Sequence, residues 1–164
     1  MITKNKARFI KNADSKKITV VKEFDADIEQ VWKAWTTREL LDKWWAPKPW
    51  KAVTKKMDFR EGGVWLYKMA GPDGEQQWAS FEYKKIVQPN FFIATDSFTD
   101  ENGNRDTTMP SQKWRNNFIK TDNGTKVEVE LSFENKEDMD KILQTGFEEG
   151  FSSALENLDD LLTQ

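Results

Sequence analysis

The sequence predicts an α+β protein in which an antiparallel sheet of about seven strands lies against a long C-terminal helix. Residues 135–164 carry apolar side chains at three- and four-residue spacing, which is the pattern of an amphipathic helix. Residues 51–133 instead alternate apolar and polar side chains, and turn sequences separate the alternating segments. Strands joined by hairpins form an antiparallel meander, so the helix is expected to bury its apolar stripe against that sheet.

One strand and two short helices precede the meander. Residues 17–24 alternate in the manner of a strand. Asp27 is a suitable N-cap, and Gln30 three residues later completes a capping-box pattern at the start of the first helix. Thr37 can begin the second helix, which the prolines at Pro47 and Pro49 end.

Six strands then follow one another with clear turn signals between them. The turns contain Gly62-Gly63, Pro72-Asp73-Gly74 and Asp122-Asn123-Gly124, in which glycine accepts the positive φ that tight turns need. The predicted strands cover residues 53–61, 64–69, 76–87, 91–98, 113–120 and 125–133.

The chain of 164 residues is predicted to form one domain with a substantial core. Residues 1–15 are mostly polar and are read as an N-terminal tail or a short extra strand. Residues 16–164 contain no repeat, low-complexity segment or linker, and they are assigned to a single domain.

Charge and hydropathy exclude several classes of function. The net charge is −3, and basic and acidic residues are mixed along the chain, so no basic block indicates nucleic-acid binding. No apolar run approaches the roughly 20 residues of a membrane span, and no secretory signal is recognisable. These features predict a cytoplasmic protein.

The sequence has no histidine and no cysteine. This removes Ser–His and Cys–His nucleophile pairs and the usual zinc and transition-metal ligands. Residues 100–106 resemble a calcium loop, but Arg105 and Ser111 occupy positions where that loop needs glycine and glutamate. We therefore predict no metal site and no cofactor.

Aromatic residues are abundant instead, with eight Trp and eleven Phe, and they supply the candidate ligand-binding residues. Asn116 is a neutral amide that could orient a ligand without the cost of burying a charge. Glu82 shares a strand face with Trp78. It could act there as a general acid or orient a ligand, and of the two interpretations we favour a side chain that faces water. The residues predicted to line a site between sheet and helix are Trp65, Tyr67, Met69, Trp78, Trp114, Asn116, Phe118, Gly146, Phe147, Gly150 and Phe151.

Gly146 and Gly150 carry two alternative interpretations. Glycine inside a helix costs on the order of 1 kcal/mol relative to alanine, so the missing side chains should serve a purpose. They either border a void between helix and sheet or allow the helix backbone to approach a strand.

Several segments resemble one protein family. The stretch ITVVKEFDADIEQVWKAWTTRELLDKWW followed by Ala46-Pro47 is similar to the opening of the activator of heat-shock protein ninety ATPase homologue family, within the START-like helix-grip (SRPBCC) superfamily. Ala46 stands where that family usually has glycine, and Phe147 where it has tryptophan. The similarity continues through Arg60-Glu61-Gly62-Gly63-Val64-Trp65, Gly71-Pro72-Asp73-Gly74, Ile86-Val87-Gln88-Pro89 and the segment from Gly146 to Leu162.

The resemblance implies a seven-stranded sheet gripping the C-terminal helix, with a cavity between them. It implies no catalytic residue, and the superfamily includes lipid carriers, hormone receptors, cyclases and co-chaperone domains. The leading hypothesis is a protein that binds an apolar or aromatic small molecule in that cavity without transforming it. The alternatives are a protein-interaction module that regulates a chaperone ATPase, and a cyclase- or hydrolase-type enzyme. A large aromatic cavity would favour binding, and a filled one the interaction module.

Overall fold

The structure is a computed structural model that describes residues 6–163, which form eight β-strands and four α-helices. In chain order these are β1 (Arg8–Asn12), β2 (Lys17–Phe24), α1 (Ile28–Thr36), α2 (Arg38–Trp44), β3 (Lys51–Met57), β4 (Val64–Ala70), β5 (Gln76–Val87), β6 (Phe91–Thr99), β7 (Gln112–Lys120), β8 (Thr125–Ser132), α3 (Lys136–Gln144) and α4 (Phe147–Leu162).

All eight strands belong to one antiparallel sheet in the order β1-β2-β8-β7-β6-β5-β4-β3. Successive strands from β3 to β8 are neighbours, as the predicted meander requires. The two helices α1 and α2 carry the chain from β2 across to β3 at the far edge of the sheet. The α+β prediction is therefore confirmed.

The strand count is eight because residues 8–12 form an edge strand on β2. Of the two interpretations of the N-terminal segment, the short strand is correct for these residues, while residues 1–5 lie outside the described part of the chain. The helix start at Asp27 is confirmed as well, since its carboxylate accepts a hydrogen bond from the Gln30 backbone N–H at 2.8 Å.

The prediction of one continuous C-terminal helix is wrong. The segment divides into α3 and α4 because Gly146 adopts a left-handed conformation, with φ of 85°, and becomes the N-cap of α4. The Gly146 backbone N–H donates to the Leu143 carbonyl at 3.2 Å, which closes the last turn of α3. Only glycine takes this backbone conformation without steric cost, so Gly146 sets the angle between the two helices.

The inner face of the sheet, which faces α4, forms the core. On β8 the alternation is as predicted: Val127, Val129 and Leu131 are buried, and the residues between them are partly exposed. Ile18 and Val20 extend this apolar surface on β2.

A charged pair is buried between β2 and α4. The Lys22 ammonium lies 2.7 Å from the Asp159 carboxylate, and their side chains are only 3% and 11% exposed. Removing one member of such a pair leaves the other charge in a poorly solvated place, which is strongly destabilising. The pair therefore connects the C-terminal half of α4 to the sheet.

The two glycines should respond to substitution with opposite signs. A Cβ at Gly150 would meet only the Pro47 side chain, at 3.8 Å, so Gly150→Ala should stabilise the protein by about 0.8–1.0 kcal/mol through helix propensity. Gly146→Ala should cost about 1–2 kcal/mol because of the left-handed backbone. Urea denaturation of both variants checks this, and two changes of the same sign would contradict it.

For the buried pair, Asp159→Ala should lower the free energy of unfolding by about 3–5 kcal/mol. The double variant Lys22→Met with Asp159→Leu should recover most of that loss, because it leaves no buried charge. Glu148→Ala is the matched control: it breaks the exposed Lys11–Glu148 pair and should cost about 1 kcal/mol or less. A similar loss for the two carboxylate variants would contradict a dominant role for burial.

Candidate ligand-binding site

Trp45, immediately after α2, is the centre of an aromatic cluster between the sheet and α4. Its indole is 5% exposed and its N–H donates to the Tyr67 hydroxyl at 2.9 Å. The ring centroids around it lie 5.2 to 6.4 Å away and belong to Trp35, Trp44, Trp65, Tyr67, Phe81, Trp114 and Phe151. At these distances the rings are in mutual contact.

The aromatic cluster occupies the centre of the space where the sequence predicted a ligand. Trp114 packs edge-on against Phe151 at 5.5 Å, which joins the sheet directly to α4. Any ligand must therefore bind beside these rings or displace one of them.

The structure brings most of the predicted site residues together. Trp65, Tyr67, Trp114, Asn116 and Phe118 are buried on the inner face. Met69 is partly buried at the end of β4, and the stacked rings of Phe147 and Phe151 face Trp114 from α4.

The prediction that Trp78 lines the site on the inner face is wrong. Trp78 pairs in register with Lys68 on the outer face of the sheet, where the ammonium groups of Lys55 and Lys68 lie 5.7 and 5.6 Å from its ring. Glu82 is on the same outer face with its side chain 56% exposed, so its interpretation as a water-facing residue is correct. The inward residues of β5 are Ala79, Phe81 and Tyr83 instead.

The interpretation that the two glycines let the helix backbone approach a strand is wrong. Gly146 is required by its backbone conformation, and Gly150 faces Pro47 in the loop after α2, with no strand backbone within 4 Å of the position its Cβ would take.

A polar cluster that was not predicted from the sequence lies at the end of the inner face nearest α3. Asp96 on β6 accepts two hydrogen bonds at Oδ2, from Gln112 Nε2 at 2.6 Å and from Trp114 Nε1 at 3.1 Å. Asp96 and Gln112 are paired in register on neighbouring strands, so their side chains share the inner face. Through Trp114, the carboxylate is joined to the aromatic cluster.

The alternation along β6 contained the signal for this cluster. Phe92 and Ala94 are buried on the inner face, so the residue two positions further, Asp96, must face inward as well. A carboxylate at an inward position of a strand is unusual, and the alternation could have identified Asp96 as a candidate site residue for this reason.

Burial raises the pKa of the Asp96 carboxyl from 3.8 to about 7, although the hydrogen bonds from Gln112 and Trp114 lower it. Burial, and after it the Asp96 charge, also raises the pKa of Tyr67 well above its ordinary value. Tyr67 therefore keeps its proton, while Asp96 changes charge near neutral pH.

Three buried polar atoms on or beside this face have no hydrogen-bond partner within residues 6–163. They are Gln112 Oε1, Asn116 Oδ1 and Trp35 Nε1. Gln112 is 6% exposed and Asn116 is fully buried. An unpaired buried polar atom costs about 1–3 kcal/mol of folding free energy. A bound molecule that supplied the missing hydrogen-bond partners would remove this cost, which would favour its binding here.

Two surface concavities lie outside this cluster. One, of about 520 Å³, is at the opposite end of the sheet between residues 25–29 and the 120–124 hairpin. The other, of about 320 Å³, lies beside the Lys22–Asp159 pair.

An antiparallel sheet that wraps a C-terminal helix, with two short helices crossing between its edges, defines a helix-grip protein. Within that class, residues 25–163 match the family described as Activator of Hsp90 ATPase homolog 1-like protein. The chain belongs to this family, as the resemblance in its sequence implied.

Solved structures agree with this assignment. A crystal structure of a Mycobacterium smegmatis protein is 30% identical, with a TM-score of 0.88 over 94% of this chain and 95% of that one. A solution structure of an Arthrobacter aurescens protein is also 30% identical, with a TM-score of 0.90 over 95% and 91%. A Staphylococcus epidermidis protein is 27% identical, with a TM-score of 0.81 over 92% and 91%. No curated protein matches the sequence.

Within residues 6–163, no helix is both long and apolar enough to cross a membrane.

The raised pKa of Asp96 makes stability depend on pH in a defined direction. Between about pH 4 and 7 the folded protein holds a proton that the unfolded chain has released, so the stability contributed by this group falls as pH rises. Asp96→Asn removes this dependence. We expect the variant to gain stability relative to the wild type across that interval, at about 1.4 kcal/mol per unit of pKa difference.

Asp106→Asn is the control, because hydrogen bonds from Thr108 lower the pKa of Asp106 in an exposed loop. The stability that Asp106 contributes is lost as pH falls, so its variant should differ from the wild type in the opposite direction. Thermal unfolding measured from pH 3 to 9, in steps of about half a pH unit, shows both effects as changes in stability with pH. Parallel curves for Asp96→Asn and the wild type would show that Asp96 titrates normally.

Proposed function

We propose that this chain binds an apolar or aromatic small molecule at the end of the helix grip where Asp96 and Gln112 lie, and that it does not transform this molecule. The observation that carries the proposal is the Gln112 side chain. It is 6% exposed, its amide nitrogen is held by Asp96, and its oxygen has no donor within the described residues. A ligand that donates a hydrogen bond there would relieve the cost of the unpaired oxygen.

The surroundings of Gln112 support an apolar ligand body. Tyr67, Ala79 and Phe98 form the next row of the inner face towards the sheet end, as the strand register shows. Phe98 and Met69 are partly exposed there, and Ala79 between their strands is small. Apolar walls with a few fixed polar groups are typical of small-molecule sites.

A second candidate function is a protein-interaction module, in keeping with the description of the family as related to an activator of the Hsp90 ATPase. The observation in its favour is the contact of aromatic rings around Trp45, which fills the centre of the grip. A filled interior is compatible with recognition by an outer surface of the domain.

The neutral probe 2-naphthylmethanol distinguishes the two functions. If the site binds apolar molecules, its titration should give saturable NMR shifts in the indole N–H signals of Trp45 and Trp114 and in the Gln112 side-chain amide. These groups belong to, or directly adjoin, the polar cluster.

Trp78→Phe provides the matched control, because it alters an indole on the outer face of the same sheet. It should leave the shifts and the affinity unchanged. If the probe shifts no inner-face signal in either protein, small-molecule binding is wrong and the interaction module becomes the better proposal.

A further inference from the structure

The charge of Asp96 has no counter-ion within the part of the chain that the structure describes. Among residues 6–163, no lysine or arginine forms an ion pair with it, and its two hydrogen bonds come from the neutral groups of Gln112 and Trp114. Both bonds go to Oδ2, so Oδ1 remains available on a partly buried residue.

The Lys22–Asp159 pair shows how the same protein treats another inward carboxylate. There the carboxylate oxygen is 2.7 Å from an ammonium group, and both residues are more than nine-tenths buried. Burying a carboxylate without a cation is costly, because neighbouring neutral donors replace only part of its lost hydration. Asp96 has the neutral donors, but no cation among the described residues pairs with it.

The other groups around Asp96 also favour a ligand group that donates hydrogen bonds and carries a positive charge. Gln112 Oε1, on the amide whose nitrogen donates to Asp96, is an acceptor with no donor among residues 6–163. The indole of Trp114 contacts the carboxylate, and Tyr67 is near enough for the Asp96 charge to raise its pKa. A carboxylate attracts an organic cation through its negative charge, and aromatic rings beside it add attraction through their π-electrons.

We infer that the molecule bound at this site is an organic cation, an ammonium group carried on an apolar or aromatic body. The ammonium would donate to Asp96 Oδ1 and to Gln112 Oε1, and the apolar body would extend towards Met69 and Phe98. The inference rests on the proposed function and names the class of ligand that the site selects.

Three probes with one ring system and different charges test it: 2-naphthylmethylamine, 2-naphthylmethanol and 2-naphthoate. Calorimetric titration is done about one pH unit above the pKa of Asp96, where most of the carboxylate is ionised and the amine is still largely protonated. The amine should bind roughly tenfold or more tightly than the alcohol, because hydrogen bonds between charged groups are the stronger ones. The naphthoate should bind more weakly than both.

Asp96→Asn keeps the shape of the side chain and removes its charge. In this variant the amine should lose its advantage and bind about as well as the alcohol. Gln112→Leu should weaken amine binding less than Asp96→Asn does, because it removes an acceptor and leaves the charge.

Glu82→Gln is the control for general attraction of a cation to a protein with a net charge of −3. It removes an exposed carboxylate from the outer face of β5 and should leave the amine preference intact.

The outcomes separate the two proposals. If none of the probes binds, the proposed function fails and the ligand class fails with it. If the wild type binds the alcohol or the naphthoate as tightly as the amine, the site binds small molecules but the cation inference is wrong. An amine preference that survives Asp96→Asn would also overturn it.

Discussion

The insertion of Trp45 between the sheet and α4 is the interaction on which the rest of the structure depends. Its ring contacts aromatic residues from α1, β4, β5, β7 and α4, so one side chain joins nearly every layer of the protein. The indole N–H of Trp45 donates a hydrogen bond to the Tyr67 hydroxyl. The indole can therefore be buried without leaving its polar N–H unpaired. Because Trp45 fills the centre, a ligand of the kind we propose would have to bind at an end of the grip.

Two carboxylates of the described core, Asp159 and Asp96, are partnered in different ways. Asp159 is neutralised by Lys22 and has a structural role between α4 and β2. Asp96 is held by neutral donors, remains partly exposed and adjoins an unpaired amide oxygen. This contrast and the adjoining unpaired oxygen of Gln112 are together the physical reason for treating Asp96 as a binding group, because within residues 6–163 only Asp159 of the two forms an ion pair.

The strength of a sequence signal decided which site residues could be predicted. Regular alternation on β4 and β7 placed Tyr67, Trp114 and Asn116 correctly on the inner face. Trp78 was placed wrongly because large apolar side chains are normally expected inside, whereas this ring is covered on the outer face by lysine side chains. Asp96 was missed because a carboxylate is normally expected outside, although its position along β6 placed it inside.

The sequence by itself determined the element order, the antiparallel meander and the family, because periodicity, turn residues and local motifs are properties of short segments. It did not determine that Gly146 divides the C-terminal helix, since glycine is compatible with both a helix interior and a left-handed cap. Nor did it determine that Trp45 fills the grip or that Asp96 meets Gln112. Those contacts join residues far apart in the chain, and their formation depends on the packing of several elements at once, which only the tertiary structure specifies.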